Sequence, residues 1–453
     1  MSSSRLELWK KFMERARLSP KPGAGKVQII PLRVEIEVIG LVGAGQGSCL
    51  ILKDGNDTMV IDCGASPANS PESKLMLQRI VSCIINARPQ YIVVSHYHFD
   101  HVGGLVPTLK EFVRMGLPLP TIIATNMTWQ LLKKSLSVAG FRTDAFSSNS
   151  YRYVKHQVST DKVTLLDVSH SVPGSASVWY RGSKNVLYTA DFRKMELPSQ
   201  LSNIDFLIID STGAMRNEPW EDTEVLAQKT IMDLAQETFA RDSFASVYVA
   251  LFSTQLCRAF GLEQAVKNAT GYFPKLHGAA LFQSLQAFRG HISGNTTERF
   301  NLVTGVWAQG EGNRSRMEGS ALVKLSYGTT HDTKLKPGDM VILSGSIPAW
   351  SGDLMGQINS MCKRIHEMEV QVVIDSSFPK VEGSFARRAK VHCSGHGNLP
   401  EIVSAIDAVS AKSPNLQVMP FHGREDALGR VVAYCKSRSI DVIPACQGLV
   451  ITL

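Results

Sequence analysis

Apolar and polar residues alternate with period two from Val34 to Val38, the signature of a strand with one buried face. Two further apolar runs, Cys49–Leu52 and Met59–Ile61, flank Asp54-Gly55-Asn56-Asp57 and predict a hairpin. The rhythm then changes. Amphipathic windows predict helices over 73–84, 106–115 and 128–136, and short apolar runs predict strands over 91–95 and 121–124. Strands dominate again from Val163 to Asp210. From about residue 215, helical windows over 223–241, 255–267 and 279–288 are separated by short strands such as 246–250. The last stretch predicts strands over 391–394 and 417–420, with helices over 399–412 and 426–436. Such alternation predicts a layered α/β fold in which the strand pairs need not all be parallel.

Length adds a division. A chain of 453 residues exceeds one ordinary core. The shift in helix length near 215 marks an inserted α/β domain. The expected segments are 1–27 (a short helix over 6–16 and a Pro/Gly linker), 28–214, an insertion over 215–358, and 359–453. Hydrophobic residues make up 44% and charged residues 19%, which supplies sizeable cores and excludes a disordered chain. The net charge of +8 raises the prior for a polyanionic partner. None of the eight cysteines forms a CxxC pair, and most sit in apolar runs, so buried reduced thiols are expected. The Arg/Lys-rich start lacks an apolar signal core, and no apolar run reaches membrane-spanning length. A cytoplasmic protein without membrane association is expected.

The chemistry concentrates at predicted strand ends. Tyr91–Val94 runs into Ser95-His96-Tyr97-His98-Phe99-Asp100-His101, followed by Gly103-Gly104. Three imidazoles and a carboxylate in six residues are costly to bury without a metal, and that mixture suits zinc. Asp62, His170, Asp191 and His422 each follow an apolar strand in the same way. Six of the twelve histidines (96, 98, 101, 170, 396 and 422) occupy such chemistry-bearing places; the others read as ordinary.

In order, Asp62, His96-x-His98-x-Asp100-His101, His170 and Asp191 resemble the signature of the metallo-β-lactamase fold. Thr189-Ala190-Asp191-Phe192-Arg193 resembles the TGDFK motif of RNase J, one of the β-CASP nucleases. His170–Ser175 resembles its HSIPDS, Asp210-Ser211-Thr212 its DST, His392–His396 its HVSGH, and Met419–Gly423 its PVHG. The resemblance spans residues 34–453. It implies an αββα metallo-β-lactamase sandwich with an inserted β-CASP domain. It also implies two zinc ions: His96, His98 and His170 on one, Asp100, His101 and His422 on the other, and Asp191 bridging them. Asp62 is implied in the outer shell. The implied reaction is hydrolysis of RNA phosphodiesters, as 5′-exonuclease, endonuclease or both. Asp100 belongs to the implied catalytic centre, His396 is the implied general acid, and Asp210 orients it. His422 is implied to favour RNA over DNA.

Ser253 and Ser394, with His396, are candidates for holding an RNA phosphate, although Ser253 or Thr254 equally suits a plain helix cap. Single-stranded RNA is the expected partner, and a homodimer stays open. The sequence also leaves three alternatives open: a DNA nuclease on the same scaffold, a small-molecule hydrolase, and a binding protein with a decayed site.

Overall fold

The computed structural model describes residues 33–40, 47–66, 70–143, 152–217, 223–252, 255–278, 281, 284–286, 295–304, 322, 334–345, 354–377 and 385–453. The expected helix over 6–16, most of the one over 279–288, and Ser253 lie outside the described residues.

Residues Arg33–Leu453 form one unit built on three sheets. The first combines the N-terminal strands β1 (Val34–Gly40), β2 (Cys49–Asp54) and β3 (Asp57–Ile61) with β4 (Tyr91–Val93), β5 (Thr121–Ile123) and β6 (His156–Gln157). A short last strand, β20 (Val450–Thr452), closes its edge against β1. The β1–β2–β3 meander is antiparallel, and β3, β4 and β5 run parallel. The parallel part needs crossovers, supplied by α1 (Pro71–Ala87), α3 (Leu105–Arg114) and α4 (Asn126–Val138). Between β4 and α3 lies the single turn α2 (Phe99–Val102).

The second sheet has the order β10 (Lys194–Met195), β7 (Val163–Ser169), β8 (Ala176–Arg181), β9 (Asn185–Tyr188), β11 (Phe206–Asp210), β18 (Gln417–Phe421), β19 (Asp441–Val442). Helices α8 (Leu399–Ser410) and α9 (Glu425–Ser437) cover it. The side-chain alternation explains the layers. Val34, Ile36, Val38, Leu50 and Leu52 face Tyr180, Val186, Tyr188, Phe206 and Ile208 across the sandwich. Their neighbours Ile39, Cys49 and Ile51 face Ile80, Ile84, Leu109 and Phe112 on the outer helices. Leu187, Leu207, Ile209 and Val418 face Ile402, Ile406 and Val431 on the other side. Both faces of each sheet are buried, so the strands read as continuous apolar runs as well as alternating ones. Burying one such Leu or Ile contributes about 1.5–3 kcal/mol. The result is a four-layer αββα arrangement.

The third sheet is entirely parallel, ordered β13 (Phe273–His277), β14 (Thr296–Thr304), β12 (Val247–Leu251), β15 (Met340–Leu343), β16 (Gln371–Asp375), β17 (Ala386–Ala389). Val247, Val249 and Leu251 pack on α5 (Thr223–Arg241) and α6 (Leu256–Thr270). Tyr248 and Ala250 pack on α7 (Leu354–Glu367). All of it is spliced between β11 and β18, which are parallel neighbours in the second sheet.

Two expectations need correction. The third sheet continues to Ala389, past residue 358, because β16 pairs in parallel with β15 and β17 pairs with β16. Residues 391–394 are not a strand. The buried carboxylate of Asp375 accepts the amides of Val391 and His392, which takes the donors a ladder would use.

Candidate metal centre

The first and second sheets deliver their side chains to one edge. Asp62 follows β3, His170 follows β7, His422 follows β18, and Asp210 ends β11. His96 and Asp191 lie three residues beyond β4 and β9, and His98 caps α2, which carries Asp100 and His101. Three of these turns hold a non-glycine residue in left-handed backbone: Asp62 at φ 58°, Ala190 at 51° and His422 at 54°. Each costs on the order of 1–3 kcal/mol, a cost that surrounding packing must hold in place. Ala190 stands where the motif it resembles has glycine. The turn α2 is strapped to the exit of β3: Ser48 N donates to Asp100 O at 2.7 Å and Cys63 N to His101 O at 2.8 Å. A Cβ on Gly64 would lie 1.8 Å from Asp100 O, so only glycine fits beneath the turn.

Ligand-type atoms converge in two adjoining groups. His98 Nδ1 lies 3.0 Å from both His96 Nε2 and His170 Nε2, and Asp191 Oδ2 lies 3.5 Å and 3.8 Å from the latter two. Beside them, His422 Nε2 lies 3.3 Å from His101 Nε2 and 3.5 Å from Asp100 Oδ2. Asp191 faces this group too, at 3.3 Å from His101 Nε2 and 3.3 Å from His422 Nε2. A third overlapping group joins Asp191 and His422 to Asp210 and His396.

The residues fit divalent cations. With the outer nitrogens donating away from the site, ring nitrogens 3.0–3.3 Å apart face each other as acceptors with no donor between them, and Asp191 Oδ1 is buried without a hydrogen bond. A cation relieves both conditions at once. The outer nitrogen of every ligand imidazole is already held, as metal-ligating histidines require. His96 Nδ1 donates to Ser95 Oγ at 3.0 Å and His101 Nδ1 to Asp62 Oδ2 at 2.7 Å. His170 Nδ1 donates to Gly395 O at 2.7 Å and His422 Nδ1 to Thr212 Oγ1 at 2.7 Å. His98 presents Nδ1 inward, and its Nε2 meets Ser171 Oγ at 3.3 Å. Asp62 also takes Ser95 N, Ser95 Oγ and Tyr188 Oη at 2.8–3.1 Å, so it is fixed from four sides.

Electrostatics favour neutral rings at His96, His98 and His170, whereas at His101 burial is outweighed by the charges of Asp191 and Asp62, which raise it well above its usual range. Burial pushes His96 and His170 well below the usual imidazole range and His98 down to about 4, leaving neutral rings able to coordinate. Burial acts against Asp191, but His422, His101 and His396 outweigh it and hold the carboxyl well below its ordinary value. His396 shifts the other way. Burial pulls it down, yet the charges of Asp210 and Asp191 win and raise it. Its Nδ1 lies 2.8 Å from Asp210 Oδ2, and its Nε2 faces Asp191 Oδ2 at 3.9 Å.

The structure therefore brings together the seven expected ligands, with Asp62 behind them and Asp210 and His396 beside them. Ser394 behaves differently. Its hydroxyl accepts His396 N at 3.2 Å and Arg216 Nη2 at 3.3 Å, within the loop that carries His396. His392, expected to be ordinary, is buried, and its Nδ1 accepts from Arg258 Nη1 at 2.9 Å. Sequence reasoning passed over Ser95, Ser171, Thr212 and Gly395. A faint signal existed, since Ser95, Ser171 and Gly395 adjoin His96, His170 and His396, and Thr212 lies two residues past Asp210 in a quoted motif.

Residues 42–113 match the profile of the metallo-beta-lactamase superfamily. The chain is similar to ribonuclease J of Mycolicibacterium smegmatis, at 24% identity over 73% of this chain and 58% of that protein. It is similar to ribonuclease J of Thermus thermophilus at 23% identity over 86% of this chain and 68% of that protein. It spans less than two thirds of the length of the first of these. A crystal structure of a protein of unknown function from Enterococcus faecalis shares the fold, with a TM-score of 0.55 at 12% identity over 93% of this chain and 100% of the other. The chain is a protein of the metallo-β-lactamase fold carrying a candidate divalent-metal centre. More narrowly, its sequence is similar to that of bacterial ribonuclease J.

Proposed function

We propose that the chain is a zinc-dependent ribonuclease that hydrolyses phosphodiester bonds in single-stranded RNA. The observation that carries this reading is the Asp210–His396 pair set against the metal centre. A small-ester or lactam hydrolase has no need of a second, protonated histidine beside its metals. A phosphodiester does, because its leaving alkoxide must be protonated.

His96, His98 and His170 would hold one zinc, Asp100, His101 and His422 the other, with Asp191 shared between them. What the ions supply when bound is a water that ionises near neutral pH and countercharge for the phosphoryl oxygens. The remaining work falls to the chain. Asp62, Ser95, Ser171, Thr212 and the Gly395 carbonyl fix the ring orientations. Asp210 accepts the Nδ1 proton of His396 and keeps the ring charged, so that Nε2–H is the donor to the departing oxygen. The six-stranded sheet is read as the inserted β-CASP domain of such nucleases. RNA is favoured over DNA by the names of the curated relatives and by His422, which RNA-acting members of the resembled family carry.

The test is cleavage of matched, end-labelled RNA and DNA oligonucleotides bearing different 5′ ends, by zinc-loaded and chelator-treated protein. Chelator-sensitive cleavage of RNA faster than DNA is expected, and the ladder reads 5′-exonucleolytic against internal cutting. Equal or faster cleavage of DNA would overturn the substrate assignment, and chelator-resistant cleavage would overturn the metal assignment.

A further inference from the structure

Arg216 follows the turn that carries Asp210, and it is not a ligand of the metal centre. Its side chain reaches the opposite loop. Nε donates to Asn398 Oδ1 at 2.5 Å, and Nη2 donates to His396 O at 2.9 Å and Ser394 Oγ at 3.3 Å. Its backbone joins in, since Leu399 N donates to Arg216 O at 2.9 Å. The turn and the loop are in close contact between these points: a Cβ on Gly213 would lie 1.8 Å from Gly397 O. On the far side, Gly397 N donates to Phe192 O at 2.6 Å, and Arg193 Nε donates to Ser394 O at 2.8 Å.

The consequence follows from what each side carries. The turn over 210–216 begins with the carboxylate, and the loop over 394–398 holds the histidine. Their 2.8 Å hydrogen bond joins two segments 186 residues apart in sequence. A guanidinium presents several N–H donors in one rigid plane, so it can fix Ser394, His396 and Asn398 relative to one another. A single ammonium on a flexible stem lacks that geometry.

We propose that Arg216 is a positioning residue for proton delivery: it holds the His396 loop in register with Asp210 so that Nε2–H meets the leaving oxygen. This inference rests on the ribonuclease reading above. It acts only on the step that needs an acid, in which the P–O bond to the leaving oxygen breaks while the proton on His396 Nε2 moves to that oxygen and imidazole is left neutral.

The test uses the zinc-loaded full chain as wild type, Arg216→Gln and Arg216→Lys, on two substrates. One is single-stranded RNA, whose alkoxide needs the proton. The other is bis(4-nitrophenyl) phosphate, whose aryloxide departs without one. Zinc content is measured alongside. For Arg216→Gln, kcat on RNA is expected to fall about 10- to 100-fold, part of the ~10²–10⁴-fold that a placed acid supplies. KM, zinc content and the rate on the aryl ester stay within about twofold of wild type. Arg216→Lys is expected to recover little. An equal loss on both substrates, or no loss on RNA, overturns the inference. Wild type inactive on RNA would instead sink the ribonuclease reading, so the two failures are distinguishable.

Discussion

At the scale of single residues, the site is defined by what stands behind the ligands. Burial pulls His101 down, but Asp191 and then Asp62 outweigh it and raise the imidazole well above its usual range, and Asp62, at 2.7 Å from its Nδ1, is nearer than its other outer contact, Ser95 Oγ at 3.4 Å. Asp62→Asn keeps the shape but removes the charge and changes one acceptor into a donor. Zinc affinity is expected to fall roughly 10–100-fold, as for other outer partners of ligand histidines, read by competition with a chromogenic chelator. Unchanged affinity would show that Asp62 serves the fold alone. The residues brought together as candidate ligands were legible in the sequence because they cluster at the ends of apolar strands, and their residue types are costly to bury unpaired. The partners behind them were not. A serine, a threonine and a peptide carbonyl carry no distinctive signal, and what selects Ser171, Thr212 and Gly395 is contact between segments up to 225 residues apart. Arg216 was invisible for the same reason.

At the scale of elements, one buried cluster joins the inserted segment to the stretch that leads into the His396 loop. Glu224 on α5 accepts from Arg258 Nε at 2.9 Å and Nη2 at 2.7 Å, and Arg258 reaches on to Ser344 and His392. Burial opposes ionisation of Glu224, but Arg258 outweighs it and holds the carboxyl down to about 2 from an ordinary 4.5. A depressed acid contributes its stability above the unfolded-state value and loses it as pH falls through the folded one. On the order of 3 kcal/mol should therefore disappear between about pH 4.5 and pH 2. Glu224→Gln leaves Arg258 buried without its counter-ion. It is expected to cost about 3–5 kcal/mol in urea unfolding at pH 7 and to flatten that acid limb. A variant as stable as wild type would mean the pair is not a junction.

Element positions were readable where periodicity was strong. The β1–β2–β3 meander, α1 and α5 fall within a few residues of expectation. The end of the third sheet was not readable, because β16 and β17 resemble any short strand and only their parallel pairing assigns them. Residues 391–394 look like a strand by composition, and the carboxylate of Asp375 overrides that preference.

At the scale of the whole molecule, the αββα sandwich gathers the candidate metal ligands at one edge, and the segment inserted between β11 and β18 separates Asp210 from His396 in sequence while the fold returns them to contact. No described helix is long and apolar enough to cross a membrane. The chain's net charge of +8 suits a polyanionic substrate, although charge alone would not choose a nucleic acid. Under the proposed function, what chooses it is the pairing of a candidate metal cluster with a separate proton donor, the Asp210–His396 pair, and both halves would have to act for RNA to be cut. The most direct measurement is the rate of single-stranded RNA cleavage by the zinc-loaded chain carrying both His98→Ala and Asp100→Ala, one ligand removed from each group. The expected result is a fall of at least about 10²-fold with the fold retained by circular dichroism. Cleavage at the wild-type rate would contradict the account.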